Sequence, residues 1–310
     1  MGMVAGMDAQ EGDAVPDNAV VVGIGNSDRD AECLAWAGSS AQRSGSPLHV
    51  LHAHDLSAEL AAIDPVAGNA ISLGPEGEIG NTDLLDETLA TAREQWPDLE
   101  ITGSEPFARP EQALIDASAN ARLIVVGAAR AGALQRLGLG RPSLAVAMHA
   151  TCPVVIVPQG ARTDAEGPVI VGIDGSAHSA AAAERAFWIA DLRKAPLIAV
   201  ITWNLEVVDG MVVTTPDTEA WKATEAKHRA TVDNIVEPLR AAHPDVKCTV
   251  EVLRGTPAKV LAERSADAGL LVMGTRGRGG FTGMLLGSQS HRVLETATSP
   301  VMLVHAPPNS

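Results

Sequence analysis

Nowhere in the 310 residues does an apolar run approach the roughly 18 positions that a membrane-spanning helix needs, so the sequence offers no span. Cysteine is scarce. Cys33, Cys152 and Cys248 lie far apart and form no CxxC pair. That spacing argues against a disulfide framework or a cysteine zinc site and suits a reducing cytoplasm. All three read as small core residues. Basic charge is in deficit, with 23 Lys and Arg against 38 Asp and Glu, a net −15. Such a chain should stay soluble and repel nucleic acid and anionic membranes. The first residues carry Asp8, Glu11 and Asp13 rather than a basic segment before an apolar one. They read as a disordered tail over 1–17, not as a secretion signal.

Two nucleotide signatures are also missing. A phosphate loop of the Walker type needs Gly-Lys-Ser/Thr, and the chain has no such triplet. Gly23-Ile24-Gly25 begins a dinucleotide fingerprint, but Asp28 stands where its third glycine belongs. No Ser/His/Asp set stands at a recognisable spacing, and no general base for water is identifiable. His52, His54 and Asp55 suggest a metal cluster, but their spacing is not diagnostic and polar packing at a strand end accounts for them. Trp36, Trp188 and Trp221 fall in helical patterns as packing residues, and His291 reads as surface.

What the chain has is repetition. VVVGIGNS ending at Ser27 returns as VIVGIDGS ending at Ser176, an offset of 149. The run around Gly127 returns around Gly274, and TCPVVIVP from Thr151 returns as TSPVMLVH from Thr298, both offset by 147. Three matches in one order mean two copies of one unit. Apolar residues make up 46% of the chain, enough for two cores. The expected division is a first domain over 18–158, a polar linker over 159–167 and a second domain over 168–306.

Each copy alternates strand and helix. In the second, VIVGID is a strand, and Ala183, Phe187 and Ala190 recur at helical spacing. LIAVITW is a strand, followed by a loop to about Pro216. Val232, Ile235, Val236 and Leu239 mark a long helix, and VKCTVEVL a strand. Thr256 and Pro257 open a helix as cap and first residue. LLVMG is a strand, Ser288 begins a last helix, and PVMLVH is the fifth strand. Alternation of this kind implies two doubly wound α/β domains, each a five-stranded parallel sheet with helices on both faces. The last strands, Val154–Val157 and Val301–Val304, would be exposed edges unless they pair across the domain or subunit boundary. Ligands bind such sheets where strand order reverses, which brings the loops after Ile173 and Met273 together.

The second loop is rich in glycine. Gly274 and Gly277 can take backbone angles closed to other residues and let a ligand approach the main chain. Arg276 and Arg278 either add charge-assisted contacts or remain solvated surface charge. Gly287 and Ser288 sit at a helix start, which favours an anion. Ser288 can cap that helix, bond phosphate, or both. Gln289 and Ser290 share its first turn. Asp174 either bonds its own turn or faces a site.

Gly274-x2-Gly277-x9-Gly287-Ser288, with VGIDGS opening the same unit, resembles the ATP-binding class of the universal stress protein family. The resemblance runs from about residue 18 to 306. It implies a cytoplasmic, usually dimeric, stress-responsive regulator that binds ATP, with Mg2+ as a candidate companion. It puts Asp174 and Ser176 at the adenosine end and backbone near Thr202 against adenine. Met273, Gly274, Arg276, Gly277, Arg278, Gly287, Ser288, Gln289 and Ser290 then surround ribose and phosphates. The first copy departs from this pattern, with Gly25 for Asp174, Arg130 for Gly277, and Arg141-Pro142 for Ser288-Gln289. It is expected to lack the nucleotide site, although Arg130, Arg136 and Arg141 retain positive charge near it. A slow ATP hydrolase and a nucleotide-free assembly module are the alternatives to a nucleotide-binding regulator. The stress signal and the downstream partner are not legible.

Overall fold

The computed structural model describes residues 14–25, 27–55, 82–128, 141–161, 167–204, 207–208, 211–212, 218–277 and 286–306. Most of the expected tail and linker, and Arg130, Arg136, Gly140 and Arg278, fall outside them.

The first half runs β1 (Val20–Ile24), α1 (Asp30–Ser44), β2 (Leu48–His52), α2 (Thr82–Gln95), β3 (Ile101–Ser104), α3 (Pro110–Ala117), β4 (Leu123–Gly127), α4 (Arg141–His149) and β5 (Val154–Val157). The second half repeats it as β6 (Val169–Ile173), α5 (Ala177–Arg193), β7 (Leu197–Trp203), α6 (Glu219–Ala242), β10 (Cys248–Arg254), α7 (Pro257–Ser265), β11 (Leu270–Gly274), α8 (Ser288–Thr296) and β12 (Val301–Val304). The stretch expected to be loop carries one addition, a two-residue antiparallel pair of β8 (Val207–Val208) and β9 (Met211–Val212).

The strands form one sheet in the order β10-β7-β6-β11-β12-β5-β4-β1-β2-β3. Within each half every pairing in this sheet is parallel; β5 and β12 meet antiparallel, with Val301 opposite Ile156. The pairing expected of the two last strands is therefore made inside one chain. Central strands such as VVIV and VMLV are buried along their length, as continuous apolar runs in a doubly covered parallel sheet should be.

Successive side chains feed two cores on opposite faces. Val169, Val171 and Ile173 pack with α1, α2, α5 and α6. Ile170, Leu271 and Met273 pack with α3, α4, α7 and α8. Cys33 and Cys152 are buried and Cys248 partly so, all as free thiols. No helix among the described residues is long and apolar enough to cross a membrane.

The duplication extends to single hydrogen bonds. Thr151 N donates to Ser118 Oγ at 2.9 Å, and Thr298 N to Ser265 Oγ at 3.0 Å. Ser143 Oγ donates to the Gly127 carbonyl at 2.7 Å, and Ser290 Oγ to the Gly274 carbonyl at 3.0 Å.

Candidate functional site

In the second half the strand order reverses between β6 and β11. A cleft of about 500 Å³ opens there, within the range of nucleotide-sized pockets. Its lining brings together Asp174, Thr202, Met273, Gly274, Arg276, Gly277, Gly287, Ser288, Gln289 and Ser290. Of the residues expected from sequence, Ser176 is not in the lining and Arg278 lies outside the described residues.

The turn after β6 is self-supporting. Asp174 Oδ1 accepts the N–H of Ser176 at 2.9 Å, and Gly175 takes a left-handed φ of 81°. Ser176 Oγ then caps α5 by accepting the N–H of Ser179 at 3.2 Å. Ser179 Oγ accepts the Gly175 N–H at 3.2 Å. Ser176 thus holds the helix start, and Ser179 is the hydroxyl that lines the cleft.

The glycines serve for reasons other than backbone freedom, since neither Gly274 nor Gly277 has a positive φ. A Cβ on Gly274 would come within 2.7–3.0 Å of His178 Cβ, backbone carbon and carbonyl oxygen. Gly274 therefore lets the first turn of α5 press onto β11. A Cβ on Gly277 would collide with Asp174 Oδ2, so this glycine makes room for the carboxylate. At Gly287 a Cβ would meet nothing in the chain closer than 3.5 Å, which is ordinary contact. The protein's own packing leaves that position open.

Gly287, not Ser288, stands at the N-cap of α8, and no side chain caps it. Ser288 is the exposed first residue of the helix, as its place in the sequence suggested; of the roles open to it, capping is not realised, because the cap position falls on Gly287. None of the described residues supplies an acceptor for the backbone N–H groups of Ser288, Gln289 and Ser290. Those groups and the helix dipole make the α8 end of the cleft anion-seeking. Gln289 Oε1 accepts the Ala258 N–H at 3.2 Å and ties α8 to α7. The Ser290 hydroxyl is buried and committed to the Gly274 carbonyl. Thr256 likewise makes no side-chain cap, although α7 does begin at Pro257.

The remaining wall is apolar, from Ile173, Val200, Leu261 and Met273. Leu261 and Pro257 were missed from sequence; their i, i+4 spacing on a helix opening beside the site was the available signal. Arg276 adds charge at the mouth. Its Nε donates to His178 Nε2 at 3.1 Å, so that nitrogen carries a lone pair and the ring is neutral. Burial, then Arg276, pulls the His178 pKa below its usual 6.5, with Asp174 opposing. His305, nearby at the end of β12, is lowered mainly by burial, against a raising backbone bond from Ala147.

In the first half, His52 and His54 gather with Glu105 rather than Asp55, with donor atoms within 4.8 Å of one another. His52 Nδ1 donates to the Ile24 carbonyl at 3.2 Å, and His54 Nε2 lies 3.7 Å from Glu105 Oε1.

The model for the universal stress protein family matches residues 18–158 and 167–305. A universal stress protein of Mycolicibacterium smegmatis is 32% identical over 287 residues, covering 92% of this chain and 96% of its own. Among solved structures, a universal stress protein from Archaeoglobus fulgidus superposes with a TM-score of 0.60 at 20% identity, covering 96% of this chain and 99% of its own. A universal stress protein crystallised in complex with cAMP is 26% identical, covering 46% of this chain and 98% of its own, with a TM-score of 0.37.

Proposed function

The chain belongs to the universal stress protein family, and from that premise we propose that it is a nucleotide-dependent regulator binding one ATP in the cleft of its second domain. The proposed division is 18–158 for a domain without a nucleotide site, 159–167 for the linker and 168–306 for the binding domain. The observation that carries this reading is the uncapped start of α8. Three N–H groups without an acceptor among the described residues border a nucleotide-sized cleft, at a glycine where an added Cβ would meet nothing closer than 3.5 Å.

The residues present fit the ligand in its parts. The apolar wall of Ile173, Val200, Leu261 and Met273 suits a planar base. Asp174, its turn already supported by Ser176, suits ribose hydroxyls. The α8 N-terminus and Arg276 suit phosphates, and Mg2+ would arrive on those phosphates. Asp174 is the one carboxylate among the described residues lining the cleft, and hydrolysis needs a positioned water as well as bound phosphate. Binding without turnover is therefore the reading adopted. A homodimer would have to use a surface other than β12, because that edge is already consumed by β5. Mass spectrometry of the small molecule that co-purifies, followed by calorimetric titration, tests the reading. Bound ATP with micromolar or better affinity is expected; protein free of nucleotide and silent to ATP would refute it, and ADP release in a single turnover would replace regulator by hydrolase.

A further inference from the structure

In a chain with a net charge of −15, four arginines meet where the two halves join, and among the described residues no carboxylate stands with them. Helices α1 and α5 pack against each other there. Trp36 and Arg43 from α1, and Arg185, Trp188 and Arg193 from α5, enclose a void with Arg122 from the start of β4. Its volume is about 20 Å³, room for one water-sized particle or little more. Among the described residues, neither Asp nor Glu lines it.

The arginines find neutral partners only. Arg122 Nη1 donates to Ser46 Oγ at 3.2 Å, and Arg193 Nη1 to the Gly269 carbonyl at 3.4 Å. Arg122 and Arg185 lie over the Trp188 ring at 4.6 and 5.5 Å, and Arg193 lies over Trp36 at 5.4 Å. Stacking of this kind orients a guanidinium but leaves its charge in place. Among the described residues no ion pair neutralises any of the four. Two donors are left over: Arg122 Nε and Trp36 Nε1 are buried without an acceptor, and Trp36 is 2% exposed. Burial and neighbouring like charge both act against the charged form of the cluster. Burial, then Arg43, pushes Arg193 down to about 10. Burial, then Arg122, lowers Arg185, with Cys152 opposing.

Arg122, Arg185 and Arg193 are half-buried and Arg43 is exposed. A cation drawn partly out of water is stable when paired, and here the described residues supply surplus donors around a small void instead of an acid. We infer that this void between α1 and α5 is a binding site for a small inorganic anion of chloride size, which neutralises the arginine cluster and fastens the two halves. The occupant is chosen by the space: a void of about 20 Å³ suits one small spherical anion better than a tetrahedral phosphate. The site lies on the sheet face opposite α7 and α8 and is independent of the nucleotide cleft.

An anion held only by the native state raises stability as its concentration rises. General screening of arginine repulsion would follow ionic strength whatever the anion. Thermal unfolding in sodium chloride and in sodium gluconate at equal ionic strength separates the two. The expected result is a Tm higher by a few degrees in chloride, saturating with concentration. Replacing Arg185 and Arg193 by Met together should abolish that difference. Trp36→Phe, which keeps a ring and removes the N–H, should weaken it several-fold. A bromide-soaked crystal should show an anomalous peak between Trp36 and Arg193. Equal Tm in both salts with no bromide peak would overturn the inference, as would protection by phosphate and not chloride, or a chloride effect undiminished in the double variant.

Discussion

The two halves share a scaffold and differ at its mouth. After β6, Asp174 turns its carboxylate back to Ser176 N–H while lying beside Gly277. After β1, Gly25 stands in that place, and the acid has moved into the helix: Asp30 accepts from the N–H groups of Gly25 and Ser27 at 3.0 Å each and from Ser27 Oγ at 2.6 Å. That carboxylate closes the turn on itself. At the last helix, Ser288-Gln289 offers two free N–H groups, whereas Arg141-Pro142 offers one, because proline has none. Where His178 packs neutral against Gly274, Arg29 is buried with Nη1 unpartnered, its side chain 3.5 Å from where a Gly127 Cβ would be. The hydroxyl bond to the end of the fourth strand is kept in both halves, by Ser143 and Ser290. The strand-end glycines and the hydroxyl bond are duplicated, as Gly127 and Gly274 and as Ser143 and Ser290, whereas the residues at Asp174, Gly277, Ser288 and Gln289 are not. By that criterion Ser290 is structural, and Asp174, Gly277, Ser288 and the N–H of Gln289 are the positions the proposed nucleotide site rests on.

The comparison can be broken most severely at the seam. Ile156→Pro places a residue without an N–H in a strand paired on both sides, where proline is not tolerated, and should have the largest effect on stability. Denaturant unfolding should show a lowered midpoint or a split transition; an unchanged curve would mean the halves do not depend on one sheet. Next comes transplanting the first half's residue into the second. Gly277→Arg should weaken ATP binding at least tenfold, about 1.4 kcal/mol, by filling space beside Asp174. Unaltered affinity in calorimetry would remove the loop from the site. A gentler transplant is Gln289→Pro, tolerated in the first turn of a helix. It deletes the backbone N–H, together with the side-chain bond to Ala258 N–H, and should cost on the order of 1 kcal/mol of binding. Equal affinity would show that this N–H does not touch the ligand.

The smallest expected effect is in pH. His178 and His305 belong to the second half only; Arg29 and Pro158 occupy the matching places. Both histidines have folded-state values below the ordinary 6.5. Their contribution is therefore present above 6.5 and lost as pH falls below it toward those lowered values, as the unfolded chain takes up protons first. Arg276, Asp174 and His149 are the charged or titratable neighbours that set the balance. Tm should drop on acidification through that window, and replacing both histidines by Asn should flatten the drop; an unchanged slope would assign the acid sensitivity elsewhere.

The fold was readable from sequence because buried parallel strands are short apolar runs and the offsets of 147 and 149 repeat their order. The cleft was readable to the extent that strand ends converge at a reversal of order. What was not readable depended on contacts across the fold. Whether the cap of α8 is Gly287 or Ser288 turns on where the chain bends by one residue. Gly274 is required by the approach of His178, 96 residues earlier in the chain, not by its own dihedrals. The β8–β9 pair lies in a stretch with no strand-length apolar run. The arginine cluster gathers residues 43, 122, 185 and 193, which meet only because β5 pairs with β12.

The claim that the halves have divided scaffold from binding is tested most directly by counting. Equilibrium titration of the whole chain with labelled ATP should saturate at one nucleotide per chain. A second site should appear when Gly25→Asp, Arg130→Gly and Arg141→Ser are made together. Two equivalent sites in the unaltered protein, or a single site that survives Gly277→Arg, would contradict it.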